Sequence, residues 1–499
     1  MKYVIGVDLG TSAVKLLLVN QEGDVCLEVS KSYPLIQGKS GYSEQDPEQW
    51  VEKTEEGLAE LVQQFPGNVN DIEGISFSGQ MHGLVLMDEK HRVLRNAILW
   101  NDTRTTKQCR EIEEIVGKEQ LLQITKNHVL EGFTLPKLLW VKQNEPYIFE
   151  RAAVFMLPKD YLRYCLTGKI HSEYSDAAGT LLLDMNEKEW SYRIGELIGI
   201  NMDICPPIVE SHEYIGTLTD NVSKRTGLSE KTKVFAGGAD NACGAIGAGV
   251  LSEGKSLCSI GTSGVVLSYE KQKDQDYGGK VHYFNHGEEN TYYTMGVTLS
   301  AGHSLSWFKS TFAPDEPYED LMEKIENVPA GSNGLLFTPY LSGERTPHAD
   351  SVIRGSFIGI HSRHSKKEFL RSVVEGITFS LNESIQIFRE NGKKIDTIVS
   401  IGGGAKSSIW LQIQADVFRA KVVKLKNEQG PGMGAAMLAA YGSGWFSSLQ
   451  ECADTFLDIQ EVYNPQKEQS DRYAAIFEVY KTVYEKTKQI NEDMKAFRQ

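Results

Sequence analysis

The sequence predicts a duplicated α/β protein with a cleft between two similar halves, and two observations carry that expectation. A strand, a Gly-Thr-Ser turn and a second strand occur in "YVIGVDLGTSAVKLLLVN" and again in "LCSIGTSGVVLSYE", so that Gly261, Thr262 and Ser263 answer Gly10, Thr11 and Ser12. In each half a capped amphipathic helix then leads to an apolar strand ending in a glycine-bounded loop, first "GISFSGQMHG" and later "TIVSIGGGAKS". The interval between the copies varies, which excludes a solenoid and indicates one domain repeated with insertions. At 499 residues the chain also exceeds what a single core sustains. The boundary is expected near residue 245, dividing the chain into 1–245 and 246–499.

Each element has a local reason. Branched apolar residues up to Leu9, the turn at Gly10, a second run up to Asn20 and the Gly23-Asp24 turn describe an antiparallel meander of three strands. Asp46 is placed to cap the next helix and Pro47 suits its first turn, while Trp50, Leu58, Leu61, Val62 and Phe65 share one face. "KVFAGGADNACGAIGAG" reads as a short strand, two glycines and a small-residue helix that opens at Asp240 and Asn241. Ser365 and Glu368 form a capping box for a long helix through Ile377, Leu381 and Phe388. Beyond 446 one helix is expected to end the chain, with Tyr473, Ile476, Phe477, Tyr480, Val483 and Tyr484 on a packed face.

Composition narrows the function. Lys plus Arg is 52 against 67 Asp plus Glu, a net charge of −15 that argues against general binding to nucleic acid or an anionic membrane. Seven scattered cysteines without a C-x-x-C pair suggest neither disulfides nor a zinc knuckle, and fit a reducing cytoplasm. No apolar run approaches the ~18 residues that span a bilayer, and no export signal precedes Asp8. "GAGVLSEGKS" matches the G-x-x-x-x-G-K-S phosphate-loop pattern. A phosphate loop, however, needs a strand leading in and a helix leading out. Here the order is helix, loop, strand, so Lys255 is read as an exposed lysine in an ordinary turn. His361 and His364 lack a third ligand nearby and read as surface residues.

The chemistry falls on other short stretches. The Gly10 hairpin offers backbone N–H groups, the hydroxyls of Thr11 and Ser12, and Lys15 within reach of the same anion. Thr262 repeats this offer in the second half, so two hairpins could clamp a phosphate chain. Asp8, acidic within an apolar strand, either assists Mg²⁺ through water or caps the turn. Asp240 accepts N–H bonds at a helix start and should stay ionised, which makes it either a base or a simple cap. Gln80, Met81 and His82 lie between glycines and suit a small polyhydroxylated molecule, His82 being either a ligand contact or a structural histidine. No Lys or Arg cluster adjoins that loop in sequence, which favours a neutral substrate. Gly402–Ser408 and Gln429–Ala436 are glycine turns where a flat base could approach the backbone.

With "VDLGTS", "SGQMHG", "WNDTR", "GGADNACGAIGAG" and "IGGGA" in this order, the chain resembles the FGGY carbohydrate kinases over essentially its full length, most closely the branch that phosphorylates xylulose. "GFTLPKLLWVKQN" at 132–144 and "GSFIGIHSRHSKKEFLRSVVE" at 355–375 resemble that family's longer signatures. The resemblance implies two actin-like, ribonuclease-H-like domains with ATP and sugar in the cleft, and transfer of the ATP γ-phosphoryl to the 5-hydroxyl of D-xylulose. It implies Asp240 as the base, Asp8 beside Mg²⁺, and Met81, His82, Asp240 and Asn241 at the sugar. It further implies Thr11, Ser12, Lys15 and Thr262 at the phosphates, and Gly302, Gly404 and Ser408 near the nucleotide. Related kinases often carry Arg and Asn where this chain has Lys15 and Ser408. Another neutral sugar or a polyol is the alternative substrate. A filament or chaperone ATPase shares the architecture, but would leave Asp240 and the "SGQMHG" loop without purpose. A homodimer is compatible with the resemblance.

Overall fold

Two seven-stranded sheets organise the chain, and their strand orders are the physical form of the sequence repeat. The computed structural model describes residues 1–273 and 275–498. In the first sheet β1 (Tyr3–Leu9), β2 (Ala13–Asn20) and β3 (Val25–Ser32) form the expected antiparallel meander. The helix α1 (Pro47–Gln64) follows, with the Asp46 side chain accepting from the Glu48 N–H, and Trp50, Leu58 and Leu61 buried. β4 (Ile72–Gly79) returns parallel to β1, and β5 (Tyr214–Thr217), β6 (Lys233–Phe235) and β7 (Gly238–Ala239) complete the sheet before α2 (Asp240–Gly247) begins. Its order is β5-β6-β4-β1-β2-β3, with β7 also paired to β4.

The second sheet replays this plan. β8 (Gly254–Ile260) and β9 (Gly264–Glu270) form an antiparallel pair around the Gly261–Ser263 turn. They are followed by β10 (His282–Asn285), β11 (Tyr292–Thr298), and the helices α3 (Gly302–Phe312) and α4 (Lys366–Glu390). The Ser365/Glu368 capping box opens α4, and Ile377, Leu381 and Phe388 are buried along it. β12 (Ile395–Gly402) lies parallel to β8, as β4 does to β1. α5 (Ser408–Phe418), β13 (Lys421–Leu425), α6 (Pro431–Gly442), α7 (Leu449–Phe456) and β14 (Ile459–Tyr463) finish the order β10-β11-β9-β8-β12-β13-β14. Apart from the added edge strand β10, each strand has a counterpart of matching direction in the first sheet.

Chain order and spatial grouping separate near the C-terminus. α6 lies on the first sheet and against α2, so closely that a Cβ on Gly6 would meet the Gly432 carbonyl oxygen at 2.2 Å and one on Gly434 the Cys243 oxygen at 1.9 Å. Only glycine permits such approach. The single helix expected beyond 446 is corrected to α7, β14 and two helices, α8 (Lys467–Tyr480) and α9 (Val483–Met494). The break lets one aromatic face serve two surfaces. Tyr473, Phe477 and Tyr480 pack on Phe379 of α4, whereas Tyr484 stacks on His348 at 3.7 Å and donates to Asp350 at 3.0 Å.

Gly247–Ser256 runs from α2 through a loop into β8, and the expected exposed turn position of Lys255 is corrected to a half-buried one in the β8–β12 ladder opposite Thr397, an arrangement with no helix N-terminus to offer a phosphate. Among the described residues no helix is long and apolar enough to cross a membrane, and all seven cysteines are free.

Candidate active site

In open α/β sheets ligands gather at the carboxyl ends of parallel strands. β1, β4 and β7 run side by side here, with Asp8 and Gly238 both opposite Ser78 across the ladders. Their ends therefore bring together Asp8, the Gln80–His82 loop and Asp240. Burial pushes the Asp240 carboxyl up, the negative charge of Asp8 adds to it, and the result is about 7. The Asn241 backbone and side-chain N–H groups donate to Oδ1 at 2.7 and 3.0 Å and offset only part of this rise. The expectation that Asp240 stays fully ionised is thereby corrected, because desolvation and a second carboxylate outweigh the helix start. Asp240 does not bond the N–H groups two or three residues on, as a helix cap does. Burial raises Asp8 as well, against offsets from the adjacent Ser78 and from Lys15, its antiparallel partner.

The first hairpin is braced rather than free. Lys15 Nζ donates to Gln429 Oε1 at 2.5 Å and pairs with Glu28 at 3.3 Å, which draws the glycine turn before α6 over Asp8. Thr11 Oγ1 donates to Gln80 Oε1 at 3.3 Å and accepts from Trp100 Nε1 at 3.0 Å, while Ser12 is exposed. Gln80 is buried, and its amide donates to Gln45 at 3.0 Å. It acts as a strut under the hairpin more than as an open contact.

Met81 is buried, with its Sδ 3.5 Å from Asn241 Nδ2 and 3.9 Å from the Tyr293 hydroxyl. His82 adopts a left-handed φ of 68°, a strained choice for a non-glycine residue. Its neighbours hold it there. The His82 carbonyl accepts from Thr134 Oγ1 at 3.1 Å and from Lys137 Nζ at 2.8 Å, and Nδ1 lies 2.6 Å from the Gly179 oxygen. Burial lowers the imidazole to about 3, so the ring is neutral, Nδ1–H donates to Gly179, and Nε2 remains an acceptor for a hydroxyl. The absence of cationic neighbours expected from the sequence is corrected: Lys137 and Arg345 both act on His82. Lys137 is occupied by the His82 and Gly132 carbonyls, and burial lowers it to about 7.

In the second half Thr262, Gly302 and Gly404 converge at the end of β8. The Gly302 N–H donates to Gly261 O at 2.9 Å and the His303 N–H to Thr262 O at 3.0 Å. A Cβ on Gly302 would meet Gly261 O at 2.3 Å, and one on Gly404 would meet Ile260 at 2.5 Å. Ser408 stands apart from this cluster at the start of α5, on the wall of a cavity of about 450 Å³ shared with Val328, Pro329 and Ile409. If Thr262 meets a phosphate chain, as the resemblance implies, replacing its hydroxyl donor by a methyl removes that contact, and Thr262→Val is expected to raise the KM for ATP several-fold. Lys255→Ala, in the look-alike motif at the start of β8, is expected to leave it unchanged. Steady-state kinetics on folded variants check both.

Sequence reasoning missed Trp100, Phe133, Lys137, Gly179, Tyr293 and Arg345. "WNDTR" and "GFTLPK" stood out as motifs without a role, and no local signal marks Tyr293, which approaches Met81 from the second sheet.

Two family models match the chain, the N-terminal domain of the FGGY family of carbohydrate kinases over residues 3–247 and its C-terminal domain over 256–443. The chain is 64% identical over 498 residues to a xylulose kinase of Bacillus subtilis, covering 100% of both sequences. It is 36% identical to a xylulose kinase of Escherichia coli, over 96% of this chain and 98% of that one. Among solved structures, a ligand-bound xylulose kinase from Lactobacillus acidophilus superposes with a TM-score of 0.93 at 30% identity, covering 98% of each chain. A gluconate kinase from the same organism gives 0.93 at 30% identity, over 97% of this chain and 98% of that one. With both halves of the repeat matched and the carboxylates, loops and glycine turns of the site in place, the chain belongs to the FGGY family of carbohydrate kinases.

Proposed function

We propose that this chain transfers the γ-phosphoryl group of ATP to the 5-hydroxyl of D-xylulose, giving D-xylulose 5-phosphate and ADP. The observation that carries this reading is Asp240 at a strand end, pushed up to about 7 by burial and Asp8 and bonded to Asn241, whose amide meets Met81, the residue before a neutral His82. A base is most effective when its pKa lies near the working pH. The substrate assignment is supported by the 64% identity to a named xylulose kinase across the whole of both chains. Residues 1–245 would supply the sugar side and the base, and 246–499 most of the nucleotide side, with α6 crossing back beside Asp8.

In this mechanism His82 Nε2 and the Asn241 amide orient the sugar hydroxyls, and Met81 supplies an apolar wall. Asp240 in its ionised form accepts the proton of the 5-hydroxyl as that oxygen bonds to phosphorus and the bond to the ADP oxygen breaks. Thr11, Ser12 and Thr262 would face the phosphates, with Lys15 reaching them only on release from Gln429 and Glu28, and Gly302 and Gly404 would lie toward the nucleotide, with Ser408 farther off at the start of α5. Asp8 suits Mg²⁺. It is a hard oxygen donor whose ionised form is disfavoured by burial, and Mg²⁺ is usually held by one or two carboxylates together with substrate phosphates and waters. When bound, Mg²⁺ would neutralise charge on the phosphates. Closure of the cleft keeps water from competing with the sugar. Seven free cysteines support a cytoplasmic setting.

The test is ADP release from ATP and Mg²⁺ against a panel of ketoses, polyols and gluconate. D-xylulose is expected to give the highest kcat/KM; a higher value for another sugar or polyol would move the substrate within the family, and turnover independent of any sugar would overturn the kinase reading. His82→Ala is expected to raise the KM for the sugar by about tenfold, the loss of one buried acceptor, while the KM for ATP changes little. Equal effects on both substrates would place His82 in folding or closure instead.

A further inference from the structure

One short segment touches both ends of the sugar site. Residues 173–180 make a helical turn, Tyr174–Ala177, followed by a 3-10 turn, Ala178–Thr180, and all of them except Tyr174 are buried. Glu173 is the anchor. Its carboxylate accepts from the Ser175 and Asp176 N–H groups at 2.8 and 2.9 Å and from Ser211 Oγ at 2.8 Å, and it pairs with Lys159 at 3.2 Å. A carboxylate that collects this many donors in the interior has one place to sit.

Ser175 reaches from this anchor to the proposed base. A backbone N–H can only donate, so the Ala239 N–H gives its proton to Ser175 Oγ at 2.9 Å, and the Ser175 hydroxyl donates onward to the Glu173 oxygens at 2.9 and 2.8 Å. Ala239 ends β7 and immediately precedes Asp240. β7 has only two residues, opposite Ser78 and Gly79 of β4, and a Cβ on Gly238 would already lie 3.4 Å from Ser175 Oγ. The serine therefore fixes where this short strand ends and Asp240 begins.

Gly179 reaches the other way. Its carbonyl accepts from His82 Nδ1–H at 2.6 Å, and a Cβ at this position would meet His82 Nδ1 at 2.8 Å, His82 Cε1 at 2.9 Å and Met81 Cε at 3.0 Å. Ser175 and Gly179 are separated by four residues of helical rise, about 6 to 8 Å.

We propose that Glu173–Gly179 is a bracket that sets the spacing between the base and the sugar-orienting histidine, with Ser175 the positioning residue for Asp240 and Gly179 the positioning residue for His82. This deepens the kinase reading and rests on it. The reacting hydroxyl has to meet the base and the phosphorus together, and a misplacement of about 1 Å can cost about a hundredfold in rate. The two ends of the bracket act on different steps. Loss of the Ser175 hydroxyl leaves the Ala239 N–H buried without an acceptor, and the chain beside Asp240 must shift to satisfy it. A methyl on Gly179 displaces the imidazole and leaves the tether to Ala239 in place.

The test compares Ser175→Ala, Ser175→Cys, Gly179→Ala and Asp240→Asn with wild type in D-xylulose and ATP kinetics, with thermal unfolding to show that each variant is folded. Ser175→Ala is expected to lower kcat at least about tenfold while the KM for D-xylulose changes less than about threefold. Ser175→Cys keeps the shape with a weaker donor and acceptor, so its kcat should fall between, and it carries the test if Ser175→Ala does not fold. Gly179→Ala should show the opposite split, a KM for D-xylulose raised about tenfold with kcat within about threefold. Folded Ser175 variants that keep kcat within about twofold, or Ser175 and Gly179 variants that change kcat and KM alike, would overturn the bracket. Asp240→Asn separates the two readings. If it loses kcat while the Ser175 variants keep theirs, only the bracket falls; if it keeps wild-type kcat, the base assignment falls and the bracket with it.

Discussion

Asp240→Asn is expected to lower kcat by at least about a hundredfold while the KM values for sugar and ATP move little. Asn keeps the shape and most local hydrogen bonds but removes the proton acceptor, a contact that matters in the transition state far more than in the ground state. A helix cap would tolerate the change, because Asn and Asp rank alike at that position. A folded variant that keeps more than about a tenth of wild-type kcat would exclude Asp240 as the base, since general-base terms run to about 10²–10⁴-fold. The same variant makes a second, independent statement about stability. Asp240 is raised from its ordinary 3.8 to about 7 in the folded chain. The proton it holds therefore stabilises the fold fully below about pH 3.8, and that contribution is lost as pH rises through about 7. Asn has no proton to lose. The Tm of Asp240→Asn relative to wild type, both without ligand, should climb between pH 5 and pH 8, and a flat difference would show that Asp240 is not held protonated by burial and Asp8. In wild type, kcat/KM should rise with pH through the same region, as the ionised base becomes available.

Lys159→Met is expected to destabilise the chain by about 3–5 kcal/mol, the range for an ion pair broken inside a protein. Lys159 is completely buried, with Nζ 2.7 Å from Asp160, 3.2 Å from Glu173 and 3.2 Å from Asp176. Arg163 shares Asp160 at 2.9 Å and donates to the Ala236 carbonyl at 2.6 Å. Burial opposes the charge on Lys159, but the three carboxylates hold it above its ordinary value, and burial in turn raises Asp176 well above the carboxylate range. Without the lysine, three acidic groups would share one guanidinium in a dry interior. The damage would reach the active site, because Ser175 Oγ donates to Glu173 and accepts from the Ala239 N–H at 2.9 Å, one residue before Asp240. Denaturant unfolding and soluble yield measure the effect. Adding Asp176→Asn to Lys159→Met should recover part of the stability. A single variant within about 1 kcal/mol of wild type would mean that the cluster is not what holds this loop.

The local grammar of the chain was legible because it depends on near neighbours. Alternation in Tyr3–Leu9 and Gly254–Ile260, glycine at the two hairpin turns, Asp46 before Pro47 and the Ser365/Glu368 pair each specify a strand, turn or cap within a few residues. The look-alike phosphate loop could be set aside on the same ground, since a helix before it and a strand after it are local facts. The break between α8 and α9 was not legible, because every residue there suits a helix; the turn comes from Phe379 on one side and His348 on the other, which compete for different parts of one aromatic face.

By itself the sequence determined the duplicated α/β plan, the two hairpins, the strand-end position of Asp240, and the family. Tertiary structure alone decided how those parts act as a site. The left-handed His82 is held by Thr134, Lys137 and Gly179, which lie 52, 55 and 97 residues away. Burial and Asp8 together push the Asp240 carboxyl up to about 7. Turn chemistry and periodicity act over a few bonds and leave their mark in adjacent letters. Desolvation and charge act through space between residues that only the folded chain makes neighbours, and no stretch of sequence read alone carries them.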